Sequence, residues 1–132
     1  MHLKVITPEK IIFDDTVTSV YLDTEKGQIG ILPHHADFVT KVKPGSMRIS
    51  TGGKNTLMVT GEGLLQMQDN KVTILTDLAE ESSAIDEKSA EDARKRAELA
   101  LTEKLSDEEY VETIAILERS LAKLKVKRRH RP

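Results

Sequence analysis

Apolar positions between residues 2 and 76 come in short bursts rather than long stripes. Leu3–Ile6, Ile11–Phe13, Val17–Leu22 and Gln28–Leu32 are separated by Pro, Asp, Thr or Gly. Phe38–Val42, Ser46–Ser50, Leu57–Thr60, Leu64–Met67 and Val72–Leu75 continue the series. A recurrence of roughly 8–12 residues, with β-branched residues inside and turn formers outside, predicts the strands of a sandwich or barrel. Lys43-Pro44-Gly45, Thr51-Gly52-Gly53-Lys54 and Asp69-Asn70-Lys71 read as turns. Val17, Ser19 and Tyr21 alternate with Thr18, Val20 and Leu22, and both sets carry apolar residues. That strand is therefore expected to be covered on both sides. No helical pattern interrupts the strands, which favours antiparallel pairing over βαβ units.

After Asp77 the period changes. Asp86-Glu87 places negative charge at a helix start. Ala90, Ala93, Ala97 and Ala100 or Leu101 then follow at steps of three and four. Ser106, with Glu109 three residues on, forms a capping box that opens a second helix. Along it Tyr110, Ile114, Leu117, Leu121 and Leu124 make a narrow seam. A short connection makes the helices antiparallel. The expected hairpin core is Ala93, Ala97, Leu101, Ile114, Leu117, Leu121 and Leu124. So few large side chains leave the hairpin marginal alone, because backbone ordering costs about 1–2 kcal/mol per residue. It must dock on the sandwich or on a partner, and an element with two docking sites can switch. The fold class is thus an N-terminal antiparallel β-sandwich, residues 1–84, followed by a C-terminal antiparallel α-helical hairpin, residues 85–132.

Composition narrows the function. The 132 residues carry a net charge of −2, so no global field draws the chain to nucleic acid. Cysteine is absent, which excludes disulfide and thiolate chemistry. No apolar run approaches a membrane span, and the start lacks a signal-peptide plan. Membrane association is expected only through partners, and the cytoplasm is the default compartment. No phosphate-cradling loop or nucleophile elbow occurs. Gly61-Glu62-Gly63 reads as a bulge or tight turn. His34, His35 and Asp37 are the one cluster of candidate metal ligands. Adjacent histidines on an extended segment point apart, so the expectation is no metal site and no catalysis.

Two features invite a partner. Gly27-Gln28-Ile29-Gly30-Ile31-Leu32-Pro33-His34-His35 sets two glycines around an apolar run that ends in proline. Such a strand is bent at fixed places and suggests a shaped surface. The second is the basic end Lys123, Lys125, Lys127, Arg128, Arg129, His130, Arg131, preceded by excess acid from Asp77 to Glu109. It either complements a helix C-terminus or contacts an acidic partner.

Nearly the whole chain resembles the epsilon subunit of F-type ATP synthases. The resemblance is carried by Gly27 to His35, Lys43-Pro44-Gly45 with Arg48-Ile49, Gly61–Leu65, Asn70-Lys71-Val72-Thr73-Ile74-Leu75, and Ala79-Glu80 leading to Ile85-Asp86 and an alanine-rich helix. It implies a sandwich of about ten strands and a hairpin in a non-catalytic central-stalk subunit of a proton-translocating synthase at the cytoplasmic face of the cell membrane. The implied partners are the gamma subunit, the c-ring and the alpha and beta subunits. Gln28, Ile29, Gly30, Ile31, Leu32, His35, Asp37 and Phe38 would lie at the c-ring and gamma contact. Many relatives carry an acid where Gln28 stands, so a hydrogen bond would replace a charge. The hairpin would inhibit ATP hydrolysis when extended, with Lys123, Lys127, Arg128, Arg129 and Arg131 as the inhibitory basic tail.

Some relatives bind ATP on the folded hairpin. Glu80, Ile85, Asp86, Ala90 and Arg96 occupy the corresponding places here. Ser89 replaces an arginine suited to phosphate, and Lys88, about 100° away around a helix, substitutes poorly. No cofactor is obligate, and ATP would be a regulatory ligand weakened by Ser89. The competing readings are a free-standing adaptor that binds another helical partner, and a metal-dependent hydrolase at His34, His35 and Asp37.

Overall fold

The computed structural model describes residues 1–129, without the side chain of Arg129. Nine strands come first: β1 (His2–Ile6), β2 (Ile11–Thr16), β3 (Ser19–Thr24), β4 (Gly27–Ile31), β5 (Phe38–Thr51), β6 (Lys54–Thr60), β7 (Gly63–Gln68), β8 (Lys71–Thr76) and β9 (Ala79–Glu81). A 3-10 turn at Ser82–Ala84 leads to α1 (Glu87–Ala100) and α2 (Asp107–Arg129). The sandwich-plus-hairpin fold expected from the sequence is the one observed.

The strands run in the order β2-β1-β8-β7-β5-β3-β4, with β6 on β5 and β9 on β6. Strand β5 joins the two layers. Its first part pairs with β7, and its second part lies between β3 and β6. The Lys43-Pro44-Gly45 turn predicted from the sequence is therefore a bend inside one long strand. Phe38–Val42 and Ser46–Ser50 are one element, not two. The register of β3 shifts opposite this bend, between Leu22 and Thr24. A bulge of this kind bends a strand and tolerates Pro. Asp23 fills the bulge, and its Oδ2 accepts the Ser46 amide at 3.1 Å. A Cβ on Gly45 would lie 2.1 Å from the same oxygen, so glycine leaves room for the Asp23 carboxylate in the bend. One pair, β1 with β8, is parallel and the others are antiparallel.

Alternate residues of these strands fill the core. Leu3, Val5, Val20, Leu22, Ile31, Met47, Ile49, Leu65, Met67, Val72 and Ile74 are buried in one cluster. Each large side chain fully removed from water contributes about 1.5–3 kcal/mol. A second, separate cluster holds the hairpin to the sandwich. Ala122 and Val126 of α2 meet Val59 and Ile85, flanked by Leu57 and Leu78. The small side chains on α2 let its backbone approach β5 and β6 closely.

Both predicted helix starts are present. Asp86 caps α1 by accepting the Ser89 amide at 3.2 Å. Ser106 and Glu109 form the reciprocal box, with Glu109 N–H on Ser106 Oγ at 3.2 Å and Ser106 N–H on Glu109 Oε1 at 3.3 Å. The seam of α2 differs from the sequence expectation. Leu124 is buried and Ile114, Leu117 and Leu101 are half-buried, but Leu121 is 46% exposed, and Tyr110, in the first turn, is exposed too. The reason is that the C-terminal half of α2 is covered on two nearly opposite sides, by α1 and by the sheet. Ser120 and Leu124 point to one side, Ala122 and Val126 to the other. Leu121 sits about 60° past Leu124 around the helix, on the third side. On α1, Ala90 and Ala97 are buried and Ala93 is half-buried, as a close helix contact requires.

Candidate docking end and hairpin latch

The bent strand lies at the edge of its sheet, paired with β3 alone. Tyr21 of β3 sits opposite Gly30, and a Cβ on Gly30 would fall 2.5 Å from the Tyr21 ring. Glycine thus makes room for the ring, and the Arg48 guanidinium lies 4.9 Å from the ring centroid on β5. Gln28, Gly30 and Leu32 face outward, with Leu32 54% exposed. Ile31 points the other way and is fully buried, and Ile29 packs against the same core. Those two members of the predicted contact set shape the surface from beneath, as strand alternation dictates.

Beyond β4 the chain turns over Leu32-Pro33-His34-His35, closed by the His35 amide on the Leu32 carbonyl at 3.1 Å. His34 adopts φ 66° in that turn. Its amide donates to Asn70 Oδ1 at 2.7 Å, and the Asp69 amide donates to Asp37 Oδ1 at 3.1 Å. The His35 ring lies 4.9 Å from the half-buried Phe38 ring, and its Nδ1 is 2.7 Å from the Ala36 carbonyl. His34, His35 and Asp37 therefore each have a separate engagement. Among the described residues no three His, Asp or Glu side chains are grouped to hold a metal ion.

A second constellation lies where the hairpin meets the sandwich. Arg119 pairs with Asp77 at 3.8 Å and Lys123 with Glu80 at 3.7 Å. The Lys127 ammonium donates to the Ser82 carbonyl at 3.3 Å. Arg128 reaches Glu91 at 3.3 Å and Glu87 at 3.7 Å. The basic end of α2 is thus laid against the acids of residues 77–91. Arg131 and the Arg129 side chain, both in the predicted tail, lie outside the described residues. Arg94 bridges Glu91 and Glu98 along α1, and its hydrogen bond holds the Glu91 carboxyl below the ordinary carboxylate value.

Glu80, Asp86 and Ala90 of the predicted nucleotide set come together in a crevice of about 400 Å³, lined also by Ser89, Arg119 and Lys123. Ile85 is buried in the docking cluster instead, and Arg96 opens onto a neighbouring crevice with Lys95 and Asp92 that shares Asp86 and Ser89 with the first. Sequence reading missed Arg119 as a member of this crevice. Its four-residue step to Lys123, facing the acidic 77–91 stretch, was the available signal.

Residues 1–82 match the beta-sandwich domain model of the ATP synthase Delta/Epsilon chain, and residues 83–128 match the long alpha-helix domain model of the same chain. An ATP synthase epsilon chain of Nitrosococcus oceani is 36% identical, across 99% of this chain and 94% of that relative. The chloroplastic ATP synthase epsilon chain of Emiliania huxleyi is also 36% identical, over 94% and 95% of the two chains. A chain in the Euglena gracilis mitochondrial ATP synthase structure (OSCP, F1 and c-ring) superposes with a TM-score of 0.77 at 22% identity. It covers 91% of this chain and 76% of that one. At that identity the superposition speaks for the fold alone. No described helix is long and apolar enough to cross a membrane.

Proposed function

The chain belongs to the ATP synthase delta/epsilon chain family, and from that premise we propose that it is the non-catalytic epsilon subunit in the central stalk of a proton-translocating F-type ATP synthase. The observation that carries this reading is the match of both domains, in order, to epsilon chains over nearly the full length. In this role the sandwich joins the gamma subunit to the c-ring, with Gln28, Leu32, His35 and Asp37 on the contact surface. The subunit sits peripherally at the cytoplasmic face of the cell membrane, held there by its partners.

The hairpin gates hydrolysis. Folded, its basic residues are occupied by Asp77, Glu80, Glu87 and Glu91 of the same chain. Extended, the same cations are free for acidic surfaces of the alpha and beta subunits. The experiment is to assemble the host F1 with the full chain or with residues 1–84 and compare ATP hydrolysis. The truncated chain should assemble and hydrolyse faster. Equal rates would remove the gating role.

A second reading adds ATP as a regulatory ligand in the crevice of Glu80, Asp86, Ser89, Arg119 and Lys123. It is favoured by two cations four residues apart on one helix face. It is opposed by their existing pairing with carboxylates and by Ser89. Calorimetry with millimolar ATP decides it, and absence of heat would remove the ligand.

A further inference from the structure

We infer that Asn70 is a positioning residue of the docking end: from the β7–β8 turn its side-chain oxygen holds the His34 amide and fixes the shape that residues 32–38 present to the rotor. The inference rests on the reading of that end as the rotor contact.

Residues 32–37 are all exposed, so no apolar burial fixes this loop. Its conformation is also unfavourable by itself. His34 occupies the second central position of a turn whose first is Pro33, and φ 66° there is a left-handed conformation that glycine adopts freely and a Cβ opposes. Something outside the loop must hold it. The hydrogen bonds that do so both come from Asp69-Asn70. These two residues carry φ 51° and 60°, the signature of a two-residue hairpin turn with a twist matching its strands.

Among the described residues, the non-glycine residues with positive φ are His34, Asp69 and Asn70 alone, and His34 bonds Asn70 while Asp69 bonds Asp37 three residues beyond His34. Of the three, only His34 is held against its preference, since Asp and Asn suit the hairpin turn they form. The brace is reciprocal: Asn70 Oδ1 accepts from the His34 amide, and Asp37 Oδ1 accepts from the Asp69 amide. Its anchor is rigid. β8 is paired on both sides, and Val72 and Ile74 just beyond the turn are fully buried. The Asn70 carbonyl is fixed too, by the His2 amide at 3.2 Å. The loop is therefore held by a turn distant in sequence, and Asn70 combines tolerance of the left-handed conformation with a side-chain acceptor.

The test uses the full chain. Asn70→Gly keeps the turn and removes the acceptor, while Asn70→Asp keeps both. Leu32→Asp alters the surface without touching the brace. Amide exchange at His34 is read by NMR, and affinity is read against the host's detergent-solubilised gamma–c-ring rotor. Loss of one net hydrogen bond should accelerate His34 exchange about fivefold and weaken rotor affinity by a similar factor in Asn70→Gly. Asn70→Asp should restore both, and Leu32→Asp should weaken affinity with His34 exchange unchanged. Wild-type affinity in Asn70→Gly, or no rescue by Asn70→Asp, would overturn the inference. Wild-type affinity in Leu32→Asp would instead show that the docking end itself is misassigned, and the inference would fall with it.

Discussion

Replacing Val126 with Asp should release the hairpin from the sandwich and leave the sandwich folded. Val126 is fully buried between α2 and the sheet, in a cluster with Val59, Ile85 and Ala122. The substitution forfeits the burial of one apolar side chain, about 1.5–3 kcal/mol. It also leaves an unpaired carboxylate in an apolar contact, which costs several kcal/mol more unless the site opens to water. Little opposes that opening. The apolar attachment of α2 to the sheet is made by the small side chains Ala122 and Val126, and the ion pairs around it are solvent-exposed and individually weak. Undocking is therefore cheaper than burying the charge. The sandwich core shares no residue with this cluster, so its own stability should persist. The assay is hydrogen exchange of the isolated chain together with small-angle scattering. V126D should lose protection at Leu57–Val59 and increase its radius of gyration, while amides of β7 and β8 stay protected. A compact V126D chain with wild-type protection on β6 would refute the reasoning. So would global unfolding, because it would show the two clusters to be one.

The remaining predictions concern helix registry, charge and ligand. Leu124→Asp should lower the helical content of the isolated chain, whereas Leu121→Asp, on the uncovered side, should change the thermal midpoint little; equal losses by circular dichroism would contradict the observed registry. Glu91 is held below its ordinary value of 4.5 by the Arg94 hydrogen bond. Its stabilising contribution is therefore complete above that ordinary value and disappears as pH falls through the depressed folded value; thermal melts between pH 7 and pH 3 should show a smaller acid loss for Glu91→Gln than for the parent. Arg119→Ala together with Lys123→Ala should make hairpin docking less dependent on salt, read as a flatter dependence of β6 exchange protection on ionic strength; an unchanged slope would remove the electrostatic latch. If ATP gives calorimetric heat with the full chain, the same double substitution should abolish it; persistence of the heat would place the nucleotide elsewhere.

Most of the architecture was legible in the sequence because strand and helix periods are local properties. The burst spacing, the Asp69-Asn70 hairpin turn and the Ser106–Glu109 box each depend on a few neighbouring residues, and each is present. Lys43-Pro44-Gly45 misled because the residue that converts a turn signal into a bend, Asp23, lies in a different strand. The α2 seam misled for a related reason. A four-three repeat assumes one covered side, and docking against β5 and β6 covers a second, so Ala122 and Val126 outrank Leu121. At the docking end the alternation of Gln28, Gly30 and Leu32 with Ile29 and Ile31 could be read from strand period alone. The partnership of His34 with Asn70 could not, because a hydrogen bond across the fold leaves no periodic mark. The ionic latch was visible only as a charge gradient; its pairings needed the hairpin's direction of docking.

Membership of the rotor is tested most directly by an affinity pull-down of the full chain from host membranes in mild detergent, with mass spectrometry of what is retained. Recovery of the gamma, c, alpha and beta subunits is the predicted result. Recovery of another helical protein without ATP synthase subunits would contradict the account and favour a free-standing adaptor.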